Sequence, residues 1–270
     1  MRTAVKGLVF GLVMTATSAF AAPPIDLIVN DPTQFRTPGD RCDAKVCSSL
    51  LQLIEGAKHQ IDFAVYGMRH QTAILNALKE AQKRGVKIRG VVDMDVHNQT
   101  YYTSTPELIA AFPQIQTDYE TDKATQRHNK PYDATLGRCM SPSGFLGPAQ
   151  CLGYDLGQQC LLAVHASREA LTFQGDIMYH KFVVVDQRHV WTGSTNMSDS
   201  GTGGYNANLV LVIDSPKIAA RYVTEMDQMV DEKKFHTEKR RAYAKTWVKI
   251  DENTSVDLRF TPQDGPIKYG

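Results

Sequence analysis

The sequence predicts an α/β fold: a mixed, mainly parallel sheet with helices on both faces and a cysteine-containing insertion. Three observations predict it. A strand, an amphipathic helix and a second strand follow one another within residues 61–93. Val-rich strand patterns return after residue 177, and a helix opened by Pro216 follows them. Strands and helices alternating at this spacing read as βαβ units, which need a parallel pair and a helical crossover.

Taken in order, Ile25–Val29 forms a strand and residues 30–46 are turn-rich. Ser48 or Ser49 caps a helix to about Lys58, with Leu50, Leu51, Leu53 and Ile54 apolar at helical spacing. Ile61–Tyr66 is a strand, Ala73–Ala81 an amphipathic helix ended by Arg84 and Gly85, and Val86–Asp93 the next strand. Residues 94–160 are polar and rich in Gly, Pro, Asn and Gln, with one short helix at Pro106–Phe112. A long irregular stretch in a compact domain is usually functional or disordered, and its cysteines favour an ordered, cross-linked insertion. Ala170–Phe173, Ile177–Val185, His189–Thr192 and Asn208–Ile213 are strands. Pro216 opens a helix to about Lys234, a position that suits proline, and residues 235–270 form a tail that is basic and then polar.

The chain has 270 residues, 42% hydrophobic and 22% charged, enough for one large domain with a full core. A net charge of +1 gives no global field for a polyanion, so any attraction to phosphate is local. Arg2 and Lys6 precede a short apolar run, Gly7–Met14, and Ala19-Phe20-Ala21 places small residues where a signal peptidase reads. The run is shorter than the roughly 20 residues of a membrane span. Residues 1–21 are therefore expected to be a signal peptide, residues 22–270 one exported domain, periplasmic or secreted, without a transmembrane segment. Export permits disulfides among Cys42, Cys47, Cys139, Cys151 and Cys160. Cys42 and Cys47 would close a short loop, and two of the other three would staple the insertion. The odd count leaves one thiol free or paired with another chain. Their spacings do not match a zinc finger, and no metal or other cofactor is expected.

The chemistry-bearing segment is Tyr179-His180-Lys181-Phe-Val-Val-Val-Asp186, followed by Gly193-Ser194-Thr195-Asn196. It resembles the HKD signature of the phospholipase D superfamily: His, any residue, Lys, four residues, Asp, six residues, Gly-Ser, any residue, Asn. The gaps from Lys181 to Asp186 and from Asp186 to Gly193 match. Residues 48–93 and 170–235 resemble the surrounding fold, which that family shares. Side chains two apart on a strand share a face, so the motif's first and third residues project into one cleft. The resemblance implies that Lys181, Gly193, Ser194 and Asn196 hold a phosphodiester and stabilise its pentacoordinate transition state without metal. It also implies a histidine nucleophile and a second histidine, from another motif copy, as the acid. One copy here implies a C₂ homodimer with both Lys181 side chains converging.

The sequence departs from the pattern at the nucleophile, where Tyr179 stands. His180 is adjacent, and strand alternation points it to the other face. Three readings follow: an impaired or inactive site, a β-bulge that re-aims His180 into the cleft, or attack by the Tyr179 hydroxyl. Tyr179, His180, Lys181 and Asp186 are thus the catalytic candidates, Asp186 also serving to end the strand and fix its turn. A second departure is Asn208, near which the family usually carries a glutamate that orients the histidine.

Other features have ordinary readings beside functional ones. Gly201–Gly204 is either a phosphate cradle or a flexible loop. His97, His128 and His165 lack ligand spacing and read as exposed histidines. Lys233, Lys234, Lys239, Arg240, Arg241, Lys245 and Lys249, with Trp247, read either as a surface for nucleic-acid backbone or anionic lipid, or as a solvated face. The expected function is a metal-independent phosphodiesterase, first a nuclease on DNA or RNA. The alternatives are a phospholipase D acting on a phospholipid headgroup and a non-catalytic phosphodiester-binding protein.

Overall fold

The computed structural model describes residues 24–94, 100–118 and 178–265, and the backbone of short strands between 130 and 162. The expected signal peptide, the Ala170–Phe173 strand, His97, His128, His165 and the side chains of Cys139, Cys151 and Cys160 lie outside the described residues.

In chain order the first half holds β1 (Ile25–Val29), α1 (Lys45–Gly56), β2 (Gln60–Val65), β3 (Met68–Arg69), α2 (Thr72–Lys83) and β4 (Lys87–Val92). Next come α3 (Thr105–Ala111), β5 (Gln116–Thr117), β6 (Lys130–Asp133), β7 (Arg138–Ser141), β8 (Gly144–Phe145), β9 (Cys151–Leu152) and β10 (Gln159–Leu162). The second half holds β11 (Lys181–Val185), β12 (His189–Gly193), β13 (Met197–Ser198), β14 (Leu209–Asp214), α4 (Pro216–Val230), β15 (Trp247–Lys249) and β16 (Ser255–Asp257).

Seven strands make the main sheet, in the order β1-β14-β12-β11-β2-β4-β5. The α/β class with helices on both faces stands. The expectation of a mainly parallel sheet is corrected: β2 with β4 and β4 with β5 are parallel, and the other four pairings are antiparallel. The physical reason lies in burial. A strand covered on both faces reads as a continuous apolar run whatever its direction, and Phe182-Val-Val-Val185 is such a run, buried throughout.

Strand alternation divides the core. Val183, Val185, Phe63 and Trp191 face one side, where they meet Leu50 and Ile54 of α1 and Ile74 and Leu78 of α2. Phe182, Val184, Val190 and Ile213 face the other, against Ile218, Tyr222 and Met226 of α4. The helix α4 begins as its sequence suggests, with the Ser215 side chain accepting from the Ile218 N–H and Pro216 in the first turn. It ends at Val230, short of the expected Lys234, and Lys233 follows with a positive φ of 55°.

The helix α1 starts at Lys45, before the expected serine cap. Ser48 Oγ donates back to the Lys45 carbonyl, and a Cys42–Cys47 disulfide ties the first turn to the preceding loop. The region after β4 also differs from expectation. Leu108, Phe112 and Ile115 are buried, and β5 pairs with β4, so residues 100–118 belong to the main layer structure. Backbone strands β6–β10 form a separate five-stranded sheet within the insertion. The tail is not a loose extension: Phe235 and Val248 pack into the α4-side core and β15 pairs with β16. Among the described residues, no helix is long and apolar enough to cross a membrane.

Candidate functional site

The register of the sheet brings the motif to one end. Lys181 opens β11 opposite Val65, the last residue of β2, while Gly193 ends β12 opposite Val210 near the start of β14. The C-terminal ends of the parallel strands β2 and β4 open at the same edge, the place where α/β sheets bind ligands. Tyr179, His180, Lys181, Gly193 and Ser194 line a cavity of about 450 Å³ there, together with Tyr222 of α4 and Phe260 and Thr261 of the tail.

Gly193 is needed for close approach. A side chain at this position would run into the Leu209 carbonyl of the neighbouring strand. The exposed Ser194 hydroxyl is held by β14, donating to Asn208 Oδ1 at 3.1 Å and accepting from the Leu209 N–H at 3.0 Å. Asn208 thus orients Ser194. Asn196 lies just behind, its carbonyl accepting from the Ser198 and Thr202 N–H groups at 2.9 Å each. Its side-chain oxygen is buried with no hydrogen-bond partner among the described residues.

Tyr179 and Lys181 share a face, as alternation requires. The Lys181 ammonium lies 3.0 Å from the Tyr179 ring centroid and donates to the Tyr179 carbonyl at 3.1 Å. Burial lowers the Lys181 pKa to about 8, so at neutral pH the side chain is mostly a cation. The preceding residue is fixed from β4, since Asp93, 4% exposed, accepts the Met178 N–H at 2.9 Å.

His180 points to the α4 face of the sheet and lines the cavity from that side. Its Nε2 is 3.0 Å from Glu225 Oε1 of α4, and its ring meets Phe182 and Phe260 edge-on. Glu225 also accepts from Lys239 Nζ at 2.5 Å and from Gln263 Nε2 at 2.7 Å. A bulge that turns His180 towards Tyr179 and Lys181 is therefore not the geometry found. Burial, opposed by the Glu225 bond, holds the His180 imidazole below the ordinary histidine value.

Asp186 sits at the far end of β11 from Lys181 and does not join it. Its carboxylate accepts from the backbone N–H groups of Lys58, His59 and Gln60 at 2.9, 2.7 and 3.0 Å. Burial raises its pKa and these three donors outweigh it, holding the group below the usual carboxylate range. Its observed work is to anchor the start of β2 to the turn after β11, at a φ of 52°.

The Gly201–Gly204 loop is buried, and its amides are engaged locally rather than turned to a phosphate: Gly201 donates to Ser198 Oγ, Thr202 to the Asn196 carbonyl and Gly203 to the Ser198 carbonyl. The basic stretch is largely committed. Lys239 is buried on Glu225, Lys234 and Arg240 pair with Glu232, and Arg241 lies 3.7 Å from Asp264.

Sequence reasoning missed an aromatic and ionic rim. Tyr66 follows β2 and meets Tyr179, Tyr101 and Tyr102. Beyond them, Arg69 and His70 hold Asp199, at 2.7 and 2.9 Å. Glu225 was legible in one respect, as an acid interrupting the apolar stripe Ile218, Tyr222, Met226 of α4.

The family model described as "Cardiolipin synthase, PLD-like domain" matches residues 50–134 and 155–230. The chain belongs to the phospholipase D-like family. No curated protein matches it. Among solved structures it is similar to Nuc from Salmonella typhimurium, a phospholipase D family member, at 17% identity and a TM-score of 0.43, covering 76% of this chain and 91% of that one. It is similar to NucT from Helicobacter pylori at 19% identity and a TM-score of 0.45, covering 77% and 95%.

Proposed function

We propose that this phospholipase D-like chain is an exported phosphodiesterase whose substrate is nucleic acid and whose turnover is impaired at the nucleophile. The observation that carries the phosphodiester reading is the convergence of the Lys181 cation with Ser194 and Gly193 at the open end of the sheet. Lys181 would neutralise a phosphate oxygen, and the Gly-Ser-x-Asn turn would add donors as charge grows in the transition state. Tyr179 supports the impaired reading. It stands where the family's nucleophile belongs, with its ring against Lys181, while the neighbouring histidine is engaged by Glu225 on the opposite face.

The single motif read in this sequence, with the expected signal peptide, favours nucleic acid over lipid. It also favours a homodimer, in which two copies of the site meet. Metal independence belongs to the same proposal, because the motif's electrophile is an ammonium group.

The test uses the chain as written, Tyr179→His, and Tyr179→His combined with Lys181→Ala. The substrates are single-stranded DNA, duplex DNA, RNA and phosphatidylcholine, each with and without EDTA. Tyr179→His is expected to gain nucleic-acid cleavage that EDTA leaves intact and that Lys181→Ala removes. Full activity in the unaltered chain, lost in Tyr179→Phe but kept in His180→Ala, would sink the impaired reading in favour of tyrosine attack. Activity abolished by EDTA would sink the metal-independent mechanism, and activity confined to phosphatidylcholine the nuclease.

A further inference from the structure

A surface of tyrosine rings runs away from Lys181. Tyr179 meets Tyr66 edge-on, with centroids 4.9 Å apart at 78°. Tyr66 meets Tyr101 at 5.7 Å and 37° and Tyr102 at 5.3 Å and 70°, and Tyr101 meets Tyr102 at 5.3 Å. The two middle rings are buried, Tyr66 at 4% and Tyr102 at 7% exposure, whereas Tyr101 and Tyr179 keep 42% and 49%. The exposed pair is therefore braced from behind. A braced tyrosine has little rotamer freedom left to lose when another flat ring settles on it.

The charges around these rings select the occupant. Lys181 stands over Tyr179, and the Arg69 guanidinium is 5.2 Å from the Tyr102 centroid. Lys181 thus covers one face of Tyr179, and cations beside the rings repel a quaternary ammonium headgroup. A neutral flat ring attached to a phosphate meets no such repulsion, and the exposed Tyr101 ring is where it can settle. That pairing of anion and π-face is the repeating unit of a nucleic-acid strand. In a duplex the faces are stacked inside, and only an unpaired strand can present them.

We propose that Tyr101, braced by Tyr66 and Tyr102, is a stacking surface for a base of single-stranded nucleic acid whose backbone phosphate lies at Lys181, beside Tyr179. The proposal rests on the nucleic-acid reading above and names the form of that substrate. Tyr101 contributes through its ring face and Lys181 through charge, so the two contributions separate experimentally.

The experiment measures binding of the full chain by fluorescence anisotropy. Its probes are a labelled oligothymidylate, an abasic strand of the same length and a duplex, with phosphatidylcholine and phosphatidylglycerol vesicles as the lipid arm. Oligothymidylate is expected to bind at least about tenfold tighter than the abasic strand, the scale of one stacked base. Tyr101→Ala and Tyr101→Leu should erase most of that difference and leave abasic binding unchanged, while Tyr101→Phe should preserve it. Leucine keeps the apolar volume and phenylalanine the ring, so a packing defect and a lost π-face give different patterns. Equal binding of oligothymidylate and abasic strand, with Lys181→Ala weakening both, would overturn the stacking surface and leave the nucleic-acid reading standing. Binding to vesicles with no binding to either strand would overturn both.

Discussion

His180 shows what one residue of strand alternation decides. Turned from Lys181 towards α4, its side chain is 19% exposed at the cavity wall, against the buried Glu225 and Lys239. Burial depresses its pKa, opposed by the Glu225 bond and reinforced by the nearby Lys239 charge. The unfolded chain takes up this proton near the ordinary value of about 6.5, and the folded chain only at lower pH. The contribution is therefore fully present above about pH 6.5 and is lost as pH falls from there towards the folded value. Urea midpoints measured from about pH 7.5 down to about pH 5.5 should decline in the unaltered chain, and His180→Gln should flatten that decline. An identical slope in the variant would remove His180 as its source. The facing of His180 was legible, because a period of two needs only a strand and its neighbours. Its partners were not. Glu225 and Lys239 lie 45 and 59 positions along the chain, joined to it by packing that local pattern does not encode.

At the scale of elements, β11 is held differently at its two ends. Lys181 opens it at the cleft, and Asp186 closes it by collecting three backbone N–H groups that lead into β2. The motif's spacing therefore joins the proposed phosphate contact at one end to strand registration at the other. Asp186→Ala leaves those donors without their charged acceptor. It should cost about 1.5–3 kcal/mol of stability, the scale of hydrogen bonds to a charged group tempered by water at this partly open site. Denaturant unfolding would measure it, and an unchanged midpoint would show that the carboxylate anchors nothing. Helices α1, α2 and α4 were legible from apolar spacing, which reports one buried stripe per helix. Strand direction was not. The pairing of β11 with β2 links residue 181 to residue 65 across the whole insertion, and a run buried on both faces carries no mark of its direction. The aromatic rim escaped notice for a related reason: Tyr66, Tyr101, Tyr102 and Tyr179 stand in three separate segments and share no motif.

At the scale of the whole molecule, the β1 edge of the main sheet carries exposed apolar side chains among the described residues. Leu27 and Val29 of β1 and Leu209 of β14 are 57%, 67% and 44% exposed, and Val29 lies directly opposite Leu209 in register. The patch ends at the cleft, since the Leu209 N–H donates to Ser194 Oγ. Exposed apolar residues beside the cleft suit a second copy of this chain: an isologous contact here would cover the patch and bring two Ser194 and Lys181 ends together. Sedimentation of the chain should give twice the monomer mass. Leu209→Asp should shift it to the monomer, because the substitution places two carboxylates against each other across a two-fold axis. The same variant in the Tyr179→His background should lose cleavage along with the dimer, whereas Trp247→Asp, 63% exposed on the β15–β16 hairpin and outside the cavity lining, should lose neither. A Leu209→Asp chain that stays dimeric would move the interface off this edge, and a monomeric unaltered chain would remove the shared site altogether.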